Sequence, residues 1–321
     1  MTGGPTDRAA IPSRANAVVI TATVGFSLFL FLGLPLLLDG RIGPLALLAF
    51  LPVLAIVPHW AAIHEAVHGH LLPDHQANEA AGRALAILFL APFAALRFGQ
   101  LSHHTLNARA TERPELYDPT ATSRLAAALA YYPRLLGGLY LFELASGPLS
   151  LLPRRVLRPI VRRVFYEGSA EAVGMAERAE RRLLEPAVLR AIRVDALLVL
   201  ALLALSFALY GEAWPVLLLA LLGRAVLVSL MDNAPHYGGP LADPGQGYDL
   251  RAPRPLSLLV LHTNLHGTHH RHPGLPWTAL PAAHAADGGR FDGHYLLRPW
   301  RQLLGPIPVD RLASAPAEVR P

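Results

Sequence analysis

The sequence predicts an all-α integral membrane protein, with four transmembrane helices in two hairpins, interfacial helices and a histidine-rich helical cap. Hydrophobic residues make up 53% of the 321-residue chain and charged residues only 16%, against roughly 25% charged residues in soluble domains. The apolar residues are gathered in runs, several of which approach the roughly 20 helical residues needed to cross a bilayer. Most of the fifteen histidines fall in a few tight groups next to these runs.

The first hairpin is predicted from two apolar runs near the N-terminus. The run 17–38 is long enough to span and has no small-residue cleavage site, so we expect it to be retained and not removed as a signal peptide. A polar turn at 39–41 follows. The run 44–62 then returns through the membrane and leads directly into His64, which places the first histidine at a membrane exit.

The second hairpin is predicted from the runs 194–210 and 214–231, joined by a short polar connection. Its return helix ends just before Asn233 and His236. Both hairpins are therefore expected to deliver histidine to the same side of the membrane.

The sidedness is predicted from arginine, since the chain contains no lysine. Ten arginines lie between residues 154 and 193, and by the positive-inside rule this loop is cytoplasmic. Arg8 and Arg14 place the N-terminus there too. The expected location is the cell inner membrane, with the N-terminus and the histidines in the cytoplasm.

Two further apolar stretches, 84–98 and 125–152, are predicted to be interfacial or re-entrant. If either one spanned alone, one histidine group would lie on the opposite face from the others. The expected organisation is a tail at 1–16, one membrane domain at 17–300 and a C-terminal tail at 301–321.

The histidine groups have spacings that suit metal binding. Histidines four residues apart share one helix face, as His64 and His68 do. The chain has no cysteine, so any metal must be held by histidine or carboxylate ligands. The candidate ligands form four groups along the chain: His64 and His68; His103 and His104; His236; His266, His269 and His270.

Eight imidazoles exceed what one metal needs and suit two ions. A zinc site takes about four ligands, whereas dinuclear sites hold two ions about 3.5–4 Å apart. Imidazole alone is compatible with iron, zinc, copper or nickel, so the ligand type does not choose the metal. The isolated histidines are expected to be structural: His59, His75, His284 and His294.

With these groups in place, the chain resembles the membrane fatty acid desaturase and hydroxylase superfamily over about residues 17–275. That family has the histidine boxes H-x(3-4)-H, H-x(2-3)-H-H and (H/Q)-x(2-3)-H-H on a four-span scaffold. The first and third boxes match, and His236 corresponds to the additional histidine of the family. The second box departs, because Gln100 stands where its first histidine is expected.

The resemblance implies two iron ions that activate O2 as co-substrate, a fatty acyl or lipid substrate, and no nucleic acid partner. It leaves desaturation, hydroxylation and oxidative decarboxylation open. Electrons are expected from an external ferredoxin or rubredoxin-type donor with its reductase, because a chain without cysteine carries no such centre itself. The arginine-rich loop suits an acidic donor and lipid equally well. Further metal ligands, or residues that orient the ligands, are expected among Gln100, Asn233, His262, His70, Glu65, Asn107, Asp118 and Asn264.

Two other classes of function remain open. His64-Glu65-Ala-Val-His68 also matches the H-E-x-x-H pattern of zinc metalloproteases, in which Glu65 would be the general base and Asp243 a candidate third ligand. A histidine relay in a metal transporter or storage protein would need polar groups within the spans, and the spans contain few. Arg224 is the exception, and it should have a partner, either a substrate carboxylate or headgroup or a structural group of the protein.

Overall fold

The computed structural model describes residues 9–106, 109, 113–165, 170–241 and 245–313. This part of the chain is mainly helical, as the sequence predicts, and its four strands have two residues each.

The first two apolar segments are both interrupted helices. The first consists of α1 (Ser13–Leu28), a π-helical turn (Phe29–Gly33) and α2 (Leu34–Leu38). The second consists of a 3-10 turn (Pro44–Ala49), α3 (Phe50–Leu54) and α4 (Ile56–His68). Each is long and apolar enough to cross a membrane. They agree with the predicted runs, except that the second continues through the first two histidines.

The next helices are α5 (His75–Phe89) and α6 (Phe93–Leu106), which meet at a bend of 98°. The carbonyl groups that the end of α5 leaves free accept hydrogen bonds from other helices. Arg224 donates to the carbonyl of Leu88 at 3.1 Å, and the Tyr140 hydroxyl donates to the carbonyl of Phe89. These bonds satisfy carbonyl oxygens at the break between the two helices. Beyond the bend, α6 leads to His103 and His104.

The following segment comprises α7 (Arg124–Pro133), a π-helical turn (Arg134–Gly138) and α8 (Leu139–Ser150). It was predicted to be interfacial, yet by length and composition it also qualifies as a membrane span. It is kinked at Gly137, where φ is 123°. In α7, the Tyr131 hydroxyl donates to the carbonyl of Gln302, and at the end of α8 the carbonyl of Ser150 accepts from Arg193.

The remaining long helices are α9 (Arg154–Val164), α10 (Ala170–Leu183), α11 (Pro186–Tyr210) and α12 (Trp214–Asn233), with a 3-10 turn (Gly211–Ala213) between the last two. Pro186–Asn233 passes the criteria for a membrane span as one 48-residue segment. With the three segments above, this makes four candidate spans among the residues that the structure describes.

The 48-residue segment is folded back as a hairpin. Asp195 on α11 pairs with Arg83, and Arg224 on α12 bonds to Leu88. Residues 83 and 88 lie about 7.5 Å apart along α5, whereas a continuous helix would separate their partners, residues 195 and 224, by about 44 Å. The fold therefore reverses at Gly211, where φ is 51°, as the two predicted runs require.

The C-terminal part is a set of short elements around the histidines. Two parallel pairs of short strands hold this part together. One pair lies within the C-terminal part, and the other joins it to the segment before α7. Its helices are α13 (Arg254–Leu259), α14 (His266–Arg271), α15 (Leu280–Ala286), α16 (Arg298–Arg301) and α17 (Val309–Ala313), with 3-10 turns at Trp277–Ala279 and Gln302–Leu304. The strands are β1 (Leu116–Tyr117), β2 (Leu250–Arg251), β3 (Gly293–His294) and β4 (Ile307–Pro308).

Candidate metal centre

The eight histidines predicted as ligands come together in two groups of four. In each group, one ligand atom from every residue lies within 4.8 Å of the others. Each group draws on at least three separate segments of the chain. The groups are His64, His68, His104 and His269; and His103, His236, His266 and His270.

The ring nitrogens within the groups converge closely. The Nε2 atom of His236 lies 3.0 Å from that of His103 and 2.8 Å from that of His266. The His269 and His104 Nε2 atoms are 3.1 Å apart. Two nitrogens about 2.1 Å from one ion and about 90° apart would be separated by about 3.0 Å, against about 3.4 Å for tetrahedral neighbours. The spacing therefore fits pairs of ligands on common ions.

The centre favours neutral imidazoles, which are the form that binds metal. His236, His269 and His270 are buried. Burial lowers the pKa of each of them, and neighbouring histidines lower it further. No carboxylate belongs to either group in the described chain, so all the donors would be neutral nitrogens. Such a set fits divalent iron and is also compatible with zinc, copper or nickel.

The first histidine pair is positioned by regular helix geometry. His64 and His68 are one turn apart at the end of α4, with ring centroids 4.7 Å apart. The helix stops at Gly69, whose φ of 78° favours glycine. The i, i+4 spacing accounts for the proximity of these two rings.

The histidines on α14, called the third group below because they match the third box, depend on contacts from outside this helix, because it has only six residues. The buried Asp249 carboxylate accepts from the backbone N–H and the hydroxyl of Thr268, each at 2.8 Å, and from Arg271 at 3.0 Å. Gly267 lies so close to Gly247 that a Cβ atom added to it would be 2.3 Å from the Gly247 carbonyl oxygen. These contacts fix the helix that carries three predicted ligands.

A buried polar cluster contacts His236 on the Nδ1 side of its ring, opposite the Nε2 atom that faces the other histidines. Its Nδ1 atom lies 3.1 Å from the Oε1 atom of Gln246. If Nδ1–H donates to that oxygen, Nε2 is left to bind a metal. Histidines that bind metals commonly donate their other ring N–H to an acceptor in this way. Arg113, which pairs with Glu115, also reaches the Gln246 side chain and the His236 carbonyl.

Sequence reasoning missed the residues that orient the ligands. Arg113 and Glu115 closely follow the second histidine group, but no local motif connects them with His236. Gln246 and Asp249 lie in a loop. His284, expected to be structural, contributes to the Asp249 cluster with its Nδ1 atom 3.2 Å from the carboxylate. Each role depends on a contact between distant parts of the chain.

Among the predicted orienting residues, three bond to groups outside the histidine centre. The Glu65 carboxylate accepts from the backbone N–H of Trp277 at 3.2 Å. Asn264 donates to the carbonyl of Leu250 at 2.8 Å. Asp118 is exposed and accepts from the backbone N–H of Thr120 at 2.8 Å. None of these contacts is made to a histidine of the two groups, and the position of Glu65 gives no support to the protease alternative.

The remaining candidates lie nearer to the centre or outside the described residues. Asn233 is buried and donates to Gln302 at 2.9 Å. His262 contacts Ser257 through Nδ1 at 2.6 Å. The His70 ring lies 6.1 Å from that of His68, and neither His70 nor His262 joins a group of four. Gln100 faces the cavity beside the histidines. Asn107 and Asp243 lie outside the described residues.

Arg224 has a protein partner. It is buried, donates to the carbonyl of Leu88 and lies 5.4 Å from the centre of the Phe31 ring. It is not among the described residues that line the large cavity. The structure therefore shows the structural pairing that was one of the two expectations.

A cavity of about 440 Å³ opens beside the histidines. At one end it reaches His64, His103, His236 and His266. Much of the remaining wall is apolar and comes from α8, α9 and α11, including Phe142, Leu157, Ile160, Val161 and Ile192. The arrangement can place an apolar chain against a metal centre.

Comparison with known proteins agrees with this geometry. The family model described as "Fatty acid desaturase" matches residues 42–302, which include all eight histidines of the two groups. No curated protein matches the chain. The chain belongs to the fatty acid desaturase family.

Proposed function

We propose that this protein is a membrane di-iron oxidoreductase that uses O2 to desaturate an unactivated part of a fatty acyl or lipid chain. The observation that carries the proposal is the pair of four-histidine groups at the end of a largely apolar cavity. Family membership supports an oxidoreductase of the desaturase type. The proposal adds the metal, its count and the reaction.

The donor set supports a metal-dependent reaction. No amino-acid side chain breaks an aliphatic C–H bond, so the chemistry must be supplied by a metal and O2, with the protein providing position and protection. The eight histidines would hold the two ions. Gln246 would hold His236 in the tautomer that presents Nε2, and Asp249 would fix the direction of α14.

The cavity supports an apolar chain as the substrate. Its wall would align the chain and exclude water from the reacting carbon, because apolar side chains replace solvent along its length. Hydroxylation and oxidative decarboxylation begin with the same hydrogen abstraction, so they are the alternatives within the family. The product distinguishes them.

We place the centre on the cytoplasmic side of an inner membrane, with an external ferredoxin or rubredoxin-type protein and its reductase as the electron source. Two features support this placement. The ten arginines between residues 154 and 193 satisfy the positive-inside rule. Helix α9 turns apolar side chains towards the cavity while its arginines 154, 155 and 163 are exposed, a surface that suits lipid headgroups or an acidic donor.

The test has two readouts on the purified full-length protein. Metal analysis should find two irons per chain, and one zinc per chain would contradict the proposal. Mass spectrometry of lipids from cells with and without the gene, with a reductase supplied, should show a product lighter by two hydrogens. A gain of one oxygen would indicate hydroxylation, and a shortened alkene would indicate decarboxylation.

A further inference from the structure

The part of the cavity wall that α8 forms contains a carboxylate, Glu143. Residues at helical spacing on this helix line the cavity: Leu139, Phe142, Glu143, Ser146 and Leu149. The Oε2 atom of Glu143 is shielded from solvent and has no hydrogen-bond partner among the described residues. Burying such an oxygen without a donor is unfavourable, so a donor within the cavity would stabilise it.

A second carboxylate approaches from α12. The hydroxyl of Ser229 accepts a hydrogen bond from the backbone N–H of Tyr140 at 3.2 Å, which fixes the register of α12 against α8. Glu143 and Asp232 each follow this contact by three residues. Asp232 lines the same cavity, where it accepts a hydrogen bond from the Trp60 side chain. The two acids therefore lie on two helices that contact each other and line one cavity.

Apart from the histidine end, where the proposed ions would lie, the described wall of the cavity offers little positive charge to balance an anion. Arg113 is the one arginine among the described lining residues, and it is engaged with Glu115, with an Nε to Oε1 distance of 2.9 Å. Away from the proposed metal ions, a ligand carboxylate beside Glu143 and Asp232 would lie next to two acids, and the lining arginine is already paired. An ammonium or hydroxyl group would instead supply a hydrogen-bond donor, and the ammonium would also supply a positive charge.

We infer that Glu143 and Asp232 form a polar subsite within the acyl cavity that binds a hydrogen-bond donor carried by the substrate, either an amine or a hydroxyl. This inference rests on the proposed function and narrows its substrate class. The substrate is an apolar chain with an amino or hydroxyl group that lies beside Glu143 and Asp232. A free fatty acid entering carboxylate first is disfavoured.

The test measures binding, independently of turnover. Dissociation constants are measured by calorimetry in one detergent for dodecylamine, dodecanol, methyl dodecyl ether and dodecanoate. The amine, the alcohol or both should bind at least about 10-fold more tightly than the ether and dodecanoate, a ratio that corresponds to about 1.4 kcal/mol.

Two substitutions at Glu143 assign the preference to this residue. Glu143→Leu should abolish it. Glu143→Gln keeps an acceptor but removes the charge, so it should retain preference for the alcohol and lose preference for the amine. Glu212→Gln, at the exposed turn between α11 and α12, is the matched control and should bind all four probes as the unsubstituted protein does.

Equal binding of all four probes, or an unchanged preference in Glu143→Leu, would overturn the inference. If Glu143→Leu does not fold, Glu143→Ala provides the same decision, because it also removes the acceptor and an unchanged preference in it would overturn the inference. Iron content measured on the same samples separates this result from the proposed function. A protein with two irons and no donor preference would refute the subsite alone, whereas a protein without iron would refute the proposed function.

Discussion

The first and third histidine groups reach the same centre by different means. His64 and His68 stand on the last turn of a 13-residue helix that continues a long apolar segment. His266, His269 and His270 stand on a six-residue helix, which is too short to be stable alone. Helix periodicity suffices for the first group, whereas the third depends on Asp249, Gly267 and other distant residues. The third group should therefore be the more sensitive to substitutions outside the ligands.

The largest expected effect is the loss of a ligand from either region. His269→Ala should lower turnover by more than about 100-fold and reduce bound iron, because even residues that only orient a ligand are worth about 10- to 100-fold. Iron analysis and product formation provide the measurement. His75→Ala is the control on an exposed helix end, and unchanged iron and turnover in His269→Ala would reject its role as a ligand.

Acid should destabilise the metal-free protein through its buried rings. Because the folded state lowers the pKa of His236, His269 and His270, the unfolded chain binds more protons as the pH falls below the ordinary histidine value of about 6.5. The free energy of unfolding should then fall by up to about 1.4 kcal/mol per ring for each pH unit. It should be nearly constant above about pH 7.5 as far as these rings are concerned.

This pH dependence can be followed by chemical unfolding of the chelator-treated protein between pH 8 and pH 5. Bound metal should oppose the loss, because it competes with protons for the same nitrogens. An apo protein whose stability does not change over this range would contradict the neutral, buried histidines.

A pair of glycine substitutions sharpens the comparison between the two helices. In Gly267→Ala the new methyl group meets the Gly247 carbonyl oxygen, so we expect a loss of about 1–3 kcal/mol in stability together with lower iron affinity. In Gly69→Ala the added Cβ has open space, and only the left-handed backbone conformation opposes it, by about 1–2 kcal/mol. Iron affinity should be retained in Gly69→Ala, which denaturation and metal titration can check.

Asp249→Asn tests the anchor of α14 directly. The amide cannot accept all the hydrogen bonds that the carboxylate takes from Thr268 and Arg271, so iron affinity should fall by about 10- to 100-fold. Asp287→Asn is the matched control, since Asp287 also pairs with Arg271 but is partly exposed. Its effect on stability should be about 0–1 kcal/mol. Equal iron affinities in the two variants would exclude an anchoring role for Asp249.

The smallest effect is expected at Glu65, although it stands between two ligands. Its carboxylate accepts from the backbone N–H of Trp277, and an amide oxygen can accept the same bond. Glu65→Gln should therefore keep its iron and most of its turnover. A complete loss of activity with normal folding would instead favour a general base, as in the protease alternative.

The sequence predicted the elements that depend on local pattern. The long apolar runs, the hairpin turn at Gly211 and the histidine spacings all follow from composition and helix periodicity. Gln246, Asp249 and the pair of Glu143 with Asp232 could not be predicted in the same way, because their roles arise where segments far apart in the chain meet. The segment Arg124–Ser150 shows the same limit. Its composition fits a span, and only its kink and end contacts show both ends on the histidine side.

The bend between α5 and α6 has a consequence for the order of assembly. The backbone oxygens of Leu88 and Phe89 at the bend accept from Arg224 of α12 and Tyr140 of α8, and His59 of α4 contacts the Leu85 oxygen one turn earlier. An unsatisfied carbonyl is costly in hydrocarbon, so the bend becomes stable only after these helices are in place. We expect the second pair of histidines, carried on α6, to be the last to reach the centre during folding.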